Sequence, residues 1–248
     1  YRTLGVSPNS WMSDEFGVTH GFEHYVKLWQ YRHSALASAS ASGWAHRLNK
    51  RLNHWYMRQI FPSRNQVWHV NHHVRTLLAQ APEPFFMYAI YWDTHLPYAA
   101  PDTYLAPWLP QNLTPRQARA INRDPWQYLT GRVPMSEHDF QALQSCYDAA
   151  IASLDAGIGA LVDWLRQRQI LDHTLLIITS DHGENLGEHG LMSHAYSLHD
   201  TLLHVPLLIR YPACFPAGQR VTQQVQLTDL FPTILDVLGL TLPEVRQP

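Results

Sequence analysis

Apolar positions along this chain follow two rhythms. From Phe140 they recur at Leu143, Tyr147, Ile151, Leu154, Ile158, Leu161, Val162 and Leu165, and this 3.6-residue stripe predicts one amphipathic helix running to about Arg168. Ser136-Glu137-His138-Asp139 marks its start, with a capping serine and an acid three residues on. Elsewhere the apolar residues come in short unbroken runs, Phe85 to Tyr91, Leu175 to Thr179 and Val205 to Ile209, which predict buried strands. Asp229 to Leu238 predicts another helix, closed by Gly239. The long helix leads straight into the Leu175 run, forming half of a βαβ unit. Strands alternating with helices imply an α/β fold, a mostly parallel sheet with helices on both faces. Functional groups in such folds gather at the C-terminal ends of the strands.

Two strand ends carry chemistry. The Leu175 run stops at Ser180-Asp181-His182-Gly183, and the Phe85 run stops at Asp93-Thr94-His95. A carboxylate beside an imidazole suits a divalent cation with oxygen and nitrogen donors, and Gly183 lets the backbone turn or approach closely. The same pair also serves as an ordinary hydrogen-bonded contact. The following turn holds Glu184, Glu188, His189 and His194, a segment too polar to bury without partners.

The stretch S-D-H-G-E-N-L-G-E-H-G, with His194 and then H-V-P-L-L-I behind it, resembles the sulfatase family of the alkaline-phosphatase superfamily. The resemblance extends to Asp93-Thr94-His95-Leu96-Pro97-Tyr98, similar to the family's D-x-H-x-P-Y turn, and to Asp229-Leu230-Phe231-Pro232-Thr233-Ile234-Leu235, similar to its D-L-x-P-T-I-L helix. Glu15-Phe16-Gly17 and Gly21-Phe22-Glu23-His24-Tyr25 are similar to its E-F-G and G-F-D-x-Y segments, so nearly the whole chain is covered. The resemblance implies an alkaline-phosphatase-like sheet and metal-dependent hydrolysis of a sulfate ester, of a small molecule or a glycan. It implies that Asp181 and His182 supply part of one metal site, for calcium first, magnesium or manganese otherwise. It further implies that His95 and His194 reach the sulfate or the leaving oxygen. The alternatives are a phosphodiesterase, phosphonate monoester hydrolase or phosphoryl transferase of the same superfamily, and a non-catalytic binding module.

The family's nucleophile motif, C-x-P-S-R or S-x-P-x-R, has an imitation in Pro62-Ser63-Arg64, but Ile60 stands where the nucleophile belongs. An isoleucine cannot attack sulfur or phosphorus. Residues 1–248 are therefore expected to be a partial catalytic domain, lacking the N-terminal nucleophile segment and the small C-terminal subdomain and unable alone to turn over a sulfate ester.

Composition adds limits. With 18 basic and 20 acidic residues the chain shows no electrostatic footprint for nucleic acid or an anionic membrane, and no apolar run in the sequence approaches the roughly 20 residues of a membrane span. The 9 Trp and 12 Tyr suit an aromatic-lined interior or pocket. Cys146 falls on the apolar face of the long helix, which favours a buried free thiol. His69, His72 and His73 have helical spacing without a carboxylate, the pattern of a solvated face. Asp14-Glu15 reads as structural. Glu184, Glu188 and His189 either orient neighbouring groups or bond within their loop. Compartment and oligomeric state stay open.

Overall fold

The computed structural model of the chain describes residues 1–29 and 66–241. Residues 35–42, a run of small residues of low complexity in the sequence, and the Ile60 to Arg64 imitation lie outside the described residues. Strands β1 (Arg2–Ser7), β2 (His24–Lys27) and β3 (Phe85–Ala89) form a parallel sheet in the order β2-β1-β3. As the middle strand, β1 is the best covered, with Leu4, Val6 and Ser7 fully buried. Along β3 the exposure alternates, and Phe86 and Tyr88 face away from the core.

Helix α1 (Gln66–Gln80) covers one face of this sheet, burying Val67, Val70, Asn71, Val74 and Leu78 at helical spacing. Short helices α2 (Asp102–Leu105), α3 (Pro115–Ala120) and α4 (Pro125–Leu129) follow. Then comes the long helix, α5 (Glu137–Gln167). Its start carries the expected capping box: Ser136 Oγ accepts the Asp139 N–H while Asp139 accepts the Ser136 N–H.

Two apolar clusters share α5. Its first half packs Leu143, Cys146, Ala149 and Ala150 against Tyr98, Leu105, Ala118 and Met192. Its second half adds Leu165 to Leu4, Val6, Val70 and Val74. By length and composition alone α5 is apolar enough to cross a bilayer, unlike the reading from apolar runs. Part of its stripe, Phe140, Leu143, Tyr147, Leu161, Val162 and Leu165, nevertheless lies against these clusters.

The buried face of α5 differs from the expected stripe. Small residues line it, among them Ala142, Ser145, Ala149, Ser153 and Gly157, while Ile151 is largely exposed. Small side chains let α1 approach closely. A Cβ on Gly157 would stand 2.1 Å from Val67 Cγ2, and Asn71 Nδ2 donates to the Gly157 carbonyl at 2.7 Å. Tyr91 Oη closes this buried junction by donating to Asn71 Oδ1 at 2.8 Å.

The Leu175 and Val205 runs form strands β4 (Leu176–Thr179) and β7 (Leu207–Arg210), which pair antiparallel. The expected buried parallel partner strand at this point is corrected: apolar content says nothing of a neighbour's direction, and β4 is only half-buried. Between them lie the small hairpin β5 (Asn185–Leu186) and β6 (Met192–Ser193), and α6 (Asp200–Leu203). Helix α7 (Leu230–Val237) comes last, with Gly239 in the left-handed conformation just beyond it.

Candidate active site

The turn after β3 is fixed to α1. Asp93 Oδ1 accepts the Val67 N–H at 3.1 Å, occupying a donor that a helix N-terminus leaves free. Burial pushes the Asp93 carboxyl up to about 6, against the backbone bonds that favour its charge. Two residues on, the His95 ring meets Trp92 edge-on with centroids 4.9 Å apart.

The turn after β4 is fixed to α6. Gly183 N–H donates to the Leu202 carbonyl at 2.8 Å and Glu184 N–H to the Thr201 carbonyl at 3.0 Å. A Cβ on Gly183 would lie 2.0 Å from the Thr201 oxygen, so only glycine permits this approach. Asn185, fully buried, donates to the Ser193 carbonyl and accepts from Thr201 Oγ1, holding the two arms of the loop together. The residue types gave no signal for Asn185, because its partners are set by the loop's path rather than by spacing.

These turns bring three imidazoles together. His95 and His194 have ring centroids 5.1 Å apart, and His182 stacks on His194 at 4.2 Å and 27°. Asp181 lies beside them, its Oδ1 3.8 Å from His182 Nε2. In each ring Nδ1 is engaged by an oxygen: the Leu96 carbonyl at 2.9 Å for His95, the Gly183 carbonyl at 2.9 Å for His182 and Glu184 Oε1 at 3.1 Å for His194. An oxygen acceptor at Nδ1 places the proton there and assigns Nε2 as the free nitrogen. Such a nitrogen binds a cation, or once protonated donates to an anion.

Glu184 is the residue whose part the sequence left open. Its side chain is only 4% exposed and its carboxylate meets His194. The hydrogen bond and charge of Glu184 raise the His194 pKa above the ordinary imidazole value, against burial, with Asp181 adding to the rise. Burial and the nearby Glu184 charge keep the buried Tyr98 phenol protonated. His189 stacks on His199 instead, with centroids 3.7 Å apart, and Glu188 Oε2 accepts the Leu186 N–H, so these two act within their loop. Cys146 is a buried free thiol whose Sγ accepts from the Arg123 guanidinium at 3.2 Å. His72 and His73 pack edge to face on α1.

Two turns that follow strands thus bring imidazoles and a carboxylate together in an α/β fold, where such folds gather functional groups. The family model for sulfatases matches residues 1–240, and the chain belongs to the sulfatase family. Arylsulfatase K of Bos taurus is 38% identical over 44% of this chain and 20% of its own length. An N-acetylglucosamine-6-O-sulfatase of Bacteroides thetaiotaomicron is 34% identical over 44% of this chain and 19% of its own. The phosphonate monoester hydrolase structure from Agrobacterium radiobacter superposes with a TM-score of 0.59 at 28% identity, covering 71% of this chain and 39% of that one. The chain thus spans about a fifth of the length of the curated relatives it matches.

Proposed function

We propose that residues 1–248 are part of a sulfatase catalytic domain that hydrolyses sulfate esters with a divalent cation, calcium foremost and magnesium or manganese otherwise. The observation that carries this reading is the set of three imidazoles with Nδ1 engaged and Nε2 free, gathered beside Asp181 from the turns after β3, β4 and β6. The donor chemistry fits a cation: the Gly183 carbonyl fixes the His182 tautomer, and the Asp181 side chain is 88% exposed beside it. Asp181 and His182 would hold the ion. No larger cluster of metal-binding side chains exists among the described residues, so water, substrate oxygens or other residues complete its shell.

A bound cation would neutralise charge growing on the non-bridging oxygens of the ester. His194, made more basic by Glu184, donates from Nε2 to a sulfate oxygen or the leaving oxygen. His95, its ring centroid 5.1 Å from that of His194, reaches the same group from the β3 side. The relatives named for an aryl and a glucosamine sulfate support a sulfated small molecule or glycan as substrate. A phosphonate or phosphodiester is the second reading, favoured by the likeness to the phosphonate monoester hydrolase.

Thermal unfolding of the chain with added calcium tests the site. A ligand at 100 times its Kd stabilises by about 2.7 kcal/mol, so Tm rises, and Asp181→Ala and His182→Ala abolish the rise. Inorganic sulfate then adds further stabilisation that His95→Ala and His194→Ala each remove. A calcium response unchanged in Asp181→Ala refutes the metal assignment, and stronger protection by methylphosphonate than by sulfate favours the second reading.

A further inference from the structure

Two residues beyond His194 lies one member of an aromatic pair that the site chemistry leaves unused. Trp126 on α4 and Tyr196 just beyond β6 meet edge to face, with centroids 5.5 Å apart and planes at 63°. Both are open to solvent, Trp126 at 59% and Tyr196 at 74%. Large rings so exposed cost hydration free energy unless something covers them.

The backbone that carries each ring is tied into the fold. Asp124 caps α4 by accepting the Trp126 and Gln127 N–H groups. The neighbouring Arg123 donates to the Pro97 carbonyl at 2.5 Å and to the Ala118 carbonyl at 3.2 Å, tying the start of α4 to the turn that carries His95. Tyr196 follows His194 by two residues and has φ of 66°, a left-handed conformation that costs a non-glycine residue free energy. Ser193, on the other side of His194, is left-handed as well, at 71°. The backbone under the pair is therefore tied to the segments that carry both histidines.

Resting on the sulfatase reading above, we propose that Trp126 and Tyr196 form the subsite for the ring bearing the sulfate, and that this ring is a pyranose. The geometry is a two-walled corner rather than a closed cage, so it takes one flat face and leaves the rest of the ring in water. A pyranose has such a face of C–H groups and a rim of hydroxyls. A quaternary ammonium is recognised best by ring faces on several sides. The carboxylate nearest in sequence, Asp124, is already occupied by backbone N–H groups and by Gln127 Nε2.

The test uses unsulfated probes, which need neither cation nor histidine, so its outcome is separable from that of the sulfate-binding experiment. Saturation-transfer NMR of the chain with methyl N-acetyl-β-glucosaminide is expected to show transfer to the ring C–H protons. Affinity is expected to fall about fivefold or more in Trp126→Ala and in Tyr196→Ala, in keeping with the typical worth of one aromatic contact. Trp126→Phe keeps a ring and retains part of the binding. Circular dichroism confirms that the variants stay folded, as exposed positions allow. Absence of transfer in the wild type, transfer unaltered in both alanine variants, or phenol or choline binding at this pair in place of the sugar overturns the proposal.

Discussion

Asp93 shows how one carboxylate serves both stability and site geometry. Its folded pKa, about 6, lies above the unfolded value because burial disfavours the charge. The folded state therefore holds an extra proton between about pH 4 and 6, and this contribution is present at acid pH and lost as pH rises through about 6. The gap is worth at most about 3 kcal/mol. Denaturant unfolding at pH 4.5 and 7 is expected to show this loss in the wild type and not in Asp93→Asn, whose amide oxygen still accepts the Val67 N–H. Equal pH dependence in the two proteins would contradict the assignment. At this scale the sequence was partly readable. His95, Asp181, His182 and His194 could be singled out because they end apolar runs or sit in a polar turn, whereas Glu184 and Asn185 take their roles from loop partners that no periodicity encodes.

Helix α5 was legible in its extent and its cap, because periodicity and Ser136 both act locally. Its buried face was not. Small residues carry little hydrophobic signal, yet Gly157, Ser153 and Ala149 are what allow a neighbouring backbone to come close. Alanine at 157 would gain up to about 1 kcal/mol in helix propensity. Its Cβ would also collide with Val67, a buried β-branched side chain with little freedom to move. Overpacking costs about 1–3 kcal/mol, so Gly157→Ala is expected to destabilise. Adding Val67→Ala should make the glycine change less damaging than it is alone, which a double-mutant cycle of unfolding free energies measures. Additive effects would argue against the clash. The pairing direction of β4 and β7 was equally hidden, since an apolar run fixes burial demand and leaves the partner unspecified.

The described residues are organised around α5, which at about 1.5 Å per residue is some 46 Å long and contributes to both apolar clusters. Native-state hydrogen exchange is expected to find its central amides among the slowest, with both clusters opening together; early independent opening of one cluster would show that the helix does not couple them. The small-residue junction has a second effect, on alignment. His95 hangs from the start of α1 through Asp93 and Val67, and Val67 rests on Gly157 in the latter half of α5. His194 follows Met192, which is seated against the first half of the same helix. A single rod thus underlies both imidazoles, so a methyl group added at residue 157 is expected to shift one histidine relative to the other without touching either.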